Sequence, residues 1–467
     1  MYFRTISTVL LGIFGLAMAQ IPLTFDLSKD QIFVQGNWYN KDGSNGKSVV
    51  TPHAFFTQCM HHENASGCDT TWSQRYWVNT NYYQPGRPIF IELAGEWDAA
   101  GDVDGGYWHA YARQYNAMLI VLEHRFYGQS FPVQNPAVRD LWLMTSQLAL
   151  ADAAKFITDF TANNNLNGTS WVSFGCSYGA NLAAWFKLKY PNHVKAAVSS
   201  SGPVEALYDY PGYMKTVSEV VQEIDDVCHD KCTTHSAAWK HWLMGVKILV
   251  IFTRRLMTYF HHSSRNCFFI TQFSLWCHSV DWDGISKEQM FLSLGMNVWA
   301  DNAPSGKVTT ACNMLGQIDG DDNVQIYGDF MEAMGQDGGC SSMKKRMEER
   351  EKFLMSQEAW QSGAAGWDWQ TWDVYGQGCG RYGSQIATSN AYYGGKDLDS
   401  RCIIFVHGTW DPWHTQGVTT PEADNTVIVV PRTEHCADNG NPTTPEMAAA
   451  QAQIMTQIGT YLSDPMC

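Results

Sequence analysis

The chain has no apolar run long enough to cross a bilayer. In 467 residues, the stretches at 6–16 and 248–252 come nearest, and both fall short of the ~20 residues a spanning helix needs. The second is bounded by Lys247 and by Arg254 and Arg255. Positive charge is also scarce: 31 Lys and Arg face 46 Asp and Glu, for a formal net charge of −15. Phosphate binding needs a basic face, so this balance argues against nucleic acid as a partner. Blocks of disorder-prone composition are missing too. Apolar and aromatic residues are plentiful, at 45% and 13%, enough for one large core and a second layer or subdomain.

Residues 1–19 read as a signal peptide. Arg4 supplies the positive n-region, 6–16 the short apolar region, and Ala17-Met18-Ala19 a small-x-small cleavage site before Gln20. An uncleaved anchor is the rival reading, which the short apolar region disfavours. Thirteen cysteines fit an oxidising compartment, and their odd number leaves a free thiol or an intermolecular bridge. Acceptor sequons at Asn64 and Asn167 agree with a secreted or lysosomal protein. Cys228 and Cys232, beside His229 and His235, have a spacing that could suggest zinc. In a cysteine-rich secreted chain disulfides are the better reading, so no metal is expected.

Continuous apolar runs at 88–93, 117–122, 171–174, 195–198, 402–406 and 427–430 suit strands buried on both faces of a parallel sheet. Helical patterns lie between them. Residues 146–163 carry Leu148, Ala149, Phe156 and Phe160, and 179–190 carry Leu182, Ala183, Trp185 and Phe186 before Pro191. This alternation predicts a doubly wound α/β sheet. It stops at 205–372, a stretch of helical pattern rich in Met, Trp and Cys. That segment is expected to be a helical cap inserted into a domain made of 20–204 and 373–467, placed over the carboxyl ends of the strands. Within it, 245–276 is basic and apolar, with Arg254-Arg255 and His261-His262. It is a surface insertion or translated intron sequence, and clean read-through in the transcript would rule out the intron.

The sharpest chemical signal is Gly175-Cys176-Ser177-Tyr178-Gly179. It follows a predicted strand and opens a predicted helix, the setting of a nucleophile elbow in an α/β-hydrolase. Glycines flank the turn because side chains there would clash. The helix N-terminus favours developing negative charge, and the Tyr178 N–H is a candidate oxyanion donor. The bland alternative is a glycine-rich turn whose serine merely caps the helix. An activated serine needs a base and an orienting acid, which follow it in the order acid, then histidine. Asp411 lies in the loop after 402–406, and His435 in the loop after 427–430. Glu434 competes as the acid but adjoins His435 in sequence. The loop after 88–93, Ala94-Gly95-Glu96-Trp97, is the expected source of the second oxyanion donor, from the N–H of Glu96 or Trp97. Alternatively, Glu96 faces a substrate amine or caps a helix.

With Glu123-His124-Arg125-Phe126-Tyr127-Gly128, Ser200-Ser201-Gly202-Pro203-Val204 and Gly408-Thr409-Trp410-Asp411-Pro412-Trp413 added, the motifs resemble one family. It is that of lysosomal Pro-X carboxypeptidase, dipeptidyl peptidase II and thymus-specific serine protease, and the resemblance spans about 36–435. It implies an α/β-hydrolase domain with a helical cap, a triad of Ser177, Asp411 and His435, and cleavage next to proline. It further implies that Trp413 helps to wall a proline pocket. The chain departs from the family pattern at His407 and His414, and at Trp372 and Val374. The expected partner is a peptide or protein substrate, with a homodimer left open and no cofactor. An esterase or lipase on the same fold, and a binding protein that lost turnover, are the rival functions.

Overall fold

The computed structural model describes residues 51–62, 67–207, 210–229 and 383–467, apart from single breaks at 135, 137, 228 and 423. It also describes 312, 313 and 317 and two short strands near the start of the chain. The signal peptide at 1–19, the sequon at Asn64, the Cys228–Cys232 spacing, the 245–276 segment, Trp372, Val374 and most of 205–372 lie outside the described residues.

The two early strands, β1 (Gln31–Val34) and β2 (Asn37–Asn40), form a hairpin of their own. Eight more make one sheet: β3 (Ala54–Cys59), β4 (Thr71–Asn79), β5 (Ile89–Leu93), β6 (Met118–Leu122), β7 (Trp171–Cys176), β8 (Ala196–Ser200), β9 (Ile403–Gly408) and β10 (Thr426–Val430). Their spatial order is β10-β9-β8-β7-β5-β6-β4-β3. The six strands expected from apolar runs are β5 to β10, and they pair parallel throughout. β6 and β8 are buried at every residue, as strands covered on both faces must be.

The antiparallel pair β3 and β4 extends the sheet beyond those six. Its buried positions include Gln58, Gln74 and Arg75, which broke the apolar pattern. Each has buried partners. The Gln58 amide donates to Gln74 and to the Asp152 carbonyl, and Gln74 donates to the Glu123 carbonyl.

Helices cover both faces. The helices α1 (Trp108–Tyr115), α2 (Ser146–Asn163), α3 (Tyr178–Lys189), α4 (Pro211–Ile224), α5 (Gly383–Tyr393) and α6 (Pro445–Ser463) follow in chain order. Thr145 caps α2 by accepting the Leu148 N–H, and Thr444 caps α6 by accepting that of Met447. On one face, Phe156 and Phe160 of α2 and Trp185 and Phe186 of α3 join Ile89, Ile91 and Ile120 of the sheet. On the other, Trp108 and Tyr111 of α1 and Ile454 and Ile458 of α6 join Phe90, Val121 and Ile404. Two apolar cores around one sheet make the arrangement doubly wound. None of the described helices is long and apolar enough to cross a membrane.

The Glu123-His124-Arg125 motif is spent on structure. Glu123 accepts from Arg75 Nε at 3.0 Å, from Ser130 Oγ at 2.7 Å and from the Gln129 N–H at 3.0 Å. Arg125 grips Asp152 with Nε at 2.7 Å and Nη2 at 2.6 Å, both side chains fully buried. Removing one member of such a pair leaves a buried charge uncompensated. Asp152→Ala is therefore expected to lower stability by ~3–5 kcal/mol, read as a lower midpoint in chemical unfolding. An unchanged midpoint would contradict this.

Candidate active site

The loops after β5, β7, β9 and β10 open at one edge of the sheet, because parallel strands share their carboxyl ends. Ser177 joins β7 to α3 with φ 56° and ψ −125°, a conformation costing a non-glycine residue ~1–3 kcal/mol. Surrounding bonds hold it there. Its N–H donates to the Ser200 carbonyl at 3.0 Å, and its carbonyl accepts the N–H groups of Ala180 and Asn181. Its hydroxyl makes no helix-capping bond, which sets aside the capping role. Both flanking glycines are required: a Cβ at Gly175 would overlap the Gly179 carbonyl, and one at Gly179 would lie 2.6 Å from the Leu93 oxygen.

Asp411 begins the turn Pro412–Gln416, and its Oδ1 accepts the Trp413 N–H at 2.9 Å. The same oxygen lies 3.0 Å from His435 Nδ1, with the aspartate fully buried and the histidine partly exposed. The structure thus brings Asp411 to His435. A disulfide bridges Cys176 and Cys436, with Cα atoms 5.8 Å apart across a sequence separation of 260. It fastens the residue before Ser177 to the residue after His435. Cys59–Cys68 and Cys402–Cys467 are further disulfides.

Tyr178 opens α3, and its hydroxyl lies 3.2 Å from His124 Nε2. In the loop after β5, Trp97 lies across Gly95 and donates Nε1–H to Asp102 at 2.7 Å. The Glu96 carboxyl is pushed up to about 7 by burial, against its own backbone N–H and the nearby His435. Trp413 is half-buried. It stacks on Tyr210 at 6.0 Å and meets Tyr213 edge-on at 5.1 Å, both at or near the start of α4. Glu223, at the other end of α4, accepts from Trp410 Nε1 at 2.8 Å and from Arg432 Nε at 2.5 Å. The described start of the 205–372 segment therefore lies on the loops after β9 and β10. His407 is buried and pushed down to about 4 by desolvation, so it is neutral at ordinary pH. His414 Nδ1 lies 2.6 Å from the Asp411 carbonyl oxygen.

A mostly parallel sheet of this strand order, with a strained serine between strand and helix, defines an α/β hydrolase. The sequence profile of the serine carboxypeptidase S28 family matches residues 62–380 and 371–454. The chain belongs to that family, and it is a serine peptidase. Similar relatives include a putative serine protease, K12H4.7, of Caenorhabditis elegans. It is 29% identical over 445 residues, covering 82% of each chain. The thymus-specific serine protease of Mus musculus is 26% identical, covering 90% of this chain and 89% of its own. A probable extracellular serine carboxypeptidase of Arthroderma benhamiae is 30% identical over 154 residues, 31% of this chain and 22% of its own.

Sequence reasoning missed the Cys176–Cys436 bridge and the buried Asp438, which follows His435 by three residues. A cysteine beside each of two candidate catalytic residues was the available signal for the first.

Two predictions follow from this geometry. Gly175→Ala or Gly179→Ala should reduce peptide hydrolysis at least ~100-fold in protein that still folds by circular dichroism; wild-type hydrolysis would contradict the steric account. The second concerns pH. Burial raises the carboxyls of Glu96 to about 7 and Asp438 to about 6, and raises that of Glu92 as well. The folded chain therefore keeps protons that the unfolded chain releases, and this stability is lost as pH rises through those values. His124 and His407, lowered to about 4 from 6.5, with the less shifted His53, His109 and His193, oppose this mainly below pH 6.5, and Lys187, lowered to about 8 from 10.5, mainly above pH 8. The melting temperature should rise by at least ~2 °C on going from pH 8 to pH 6.5; a fall would contradict the assignment.

Proposed function

We propose that Ser177 is the nucleophile, His435 its general base and Asp411 the acid that orients the imidazole. The observation that carries this is the 3.0 Å contact of His435 Nδ1 with buried Asp411, in a loop bridged to the serine's own turn. His435 takes the hydroxyl proton as Ser177 attacks the peptide carbonyl, and Asp411 stabilises the imidazolium. The imidazolium then gives its proton to the leaving amine, and water cleaves the acyl-enzyme with the same base.

The Tyr178 N–H at the start of α3 is one donor to the oxyanion. The second comes from the loop after β5, from the N–H of Glu96 or Trp97. The enzyme acts as an exopeptidase on peptides with proline at the cleavage point. Trp413 with Tyr210 and Tyr213 offers the flat apolar wall that a proline ring fits. A secreted or lysosomal location suits the signal-peptide pattern, the disulfides and the sequon at Asn167, which is exposed in the turn after α2.

Ser177→Ala should lower kcat by at least ~10⁴-fold with an unchanged melting temperature; wild-type turnover in that variant would end the assignment. Mass spectrometry of products from a library of proline-containing peptides tests the specificity. Release of dipeptides from the amino end, or of single residues after proline from the carboxyl end, supports it. Equal cleavage of matched peptides lacking proline contradicts it.

A further inference from the structure

Two serines at the end of β8 touch both halves of the site, although neither belongs to the proposed triad. The Ser200 carbonyl accepts the Ser177 N–H at 3.0 Å, and the Ser200 hydroxyl donates to Asp438 Oδ1. The Ser201 hydroxyl accepts the Cys436 N–H at 2.9 Å. Asp438 is buried in the short turn Ala437–Asn439, which directly follows His435 and Cys436. From α6, buried Gln451 Nε2 donates to the carbonyls of Asp438 and Gly440, each at 2.8 Å.

Ser201 and Cys436 both have φ 56°. Two such residues persist only where surrounding contacts over-determine them. Here those contacts are the disulfide, the two serine hydroxyls and the Gln451 amide. The nucleophile's turn and the histidine's turn thus rest on one support, and the carboxyl of Asp438 is part of it.

We infer that Asp438, held by Ser200, is a second acidic positioning residue for His435, setting the place of the histidine loop against Ser177 and the charge around the imidazole. The inference rests on the triad proposed above. An amide at this position could accept the Ser200 hydroxyl equally well, so the bond alone does not call for a carboxyl. A carboxyl adds charge. Burial raises its pKa to about 6, while the Ser200 hydroxyl, its own backbone N–H and His435 pull it down. Its charge and that of His435 act on each other. Other groups share this field. Asp411 acts from the loop after β9, Glu96 from the loop after β5, His407 from β9 and Tyr111 from α1, with Glu434 next in the chain. Ionised Asp438 favours the imidazolium, so removing its charge should make His435 easier to deprotonate.

The test compares wild type with Asp438→Asn, Asp438→Ala and Ser200→Ala on one peptide that wild type hydrolyses, measuring kcat, KM, the pH profile of kcat/KM and the melting temperature. Asp438→Asn keeps the acceptor and loses the charge. It should fold and move the acid limb of the profile down by about 1 pH unit. Asp438→Ala and Ser200→Ala should lower kcat ~10–100-fold with KM within about twofold. An unmoved acid limb in Asp438→Asn overturns the inference, as does an intact kcat in folded alanine variants. If the alanine variants do not fold, the Asp438→Asn profile decides alone. The triad is judged separately: wild-type turnover by Ser177→Ala removes it, whereas a Ser177-dependent enzyme with an unmoved Asp438→Asn profile removes only the role of Asp438.

Discussion

The site depends on holding together two turns that lie far apart in the chain. Ser177 follows β7, and His435 follows β10, with β8 and β9 between them in the sheet. Parallel strands bring both turns to one edge but do not fix their separation. The Cys176–Cys436 disulfide does so covalently, one residue from each. The polar end of β8 does so by hydrogen bonds, through Ser200 and Ser201. From the intervening β9 loop, Asp411 comes within 3.0 Å of His435 Nδ1.

That arrangement carries strain and buried charge, and each is offset locally. Ser177, Ser201 and Cys436 all adopt positive φ, and their backbone groups are held by neighbours from other strands. Behind the site, Glu123 and Arg125 are fully buried yet matched by Arg75 and Asp152. Glu96 and Asp438 are different, since burial keeps their carboxyls partly protonated near neutrality.

Much of this was legible before any coordinates. The six parallel strands showed as uninterrupted apolar runs, because burial on both faces removes the alternation that would mimic other structure. The elbow was legible because glycine is needed on both sides of Ser177 for steric reasons, and the overlaps at Gly175 and Gly179 have that origin. Asp411 and His435 stood out by lying just past strand ends. The β3–β4 pair was hidden because its buried positions are polar and satisfied by distant partners such as Asp152 and Glu123. The Cys176–Cys436 pairing and the contact of Ser200 with Asp438 were illegible for another reason. Thirteen cysteines and many hydroxyls allow too many pairings, and only the fold selects among them.

The most direct measurement is peptide mapping after reaction with a fluorophosphonate, which labels a serine only where a base and an oxyanion site activate it. The account predicts a single stoichiometric adduct on Ser177 that disappears in His435→Ala. An adduct on another serine, or an enzyme that hydrolyses peptides while Ser177 stays unmodified, would contradict it.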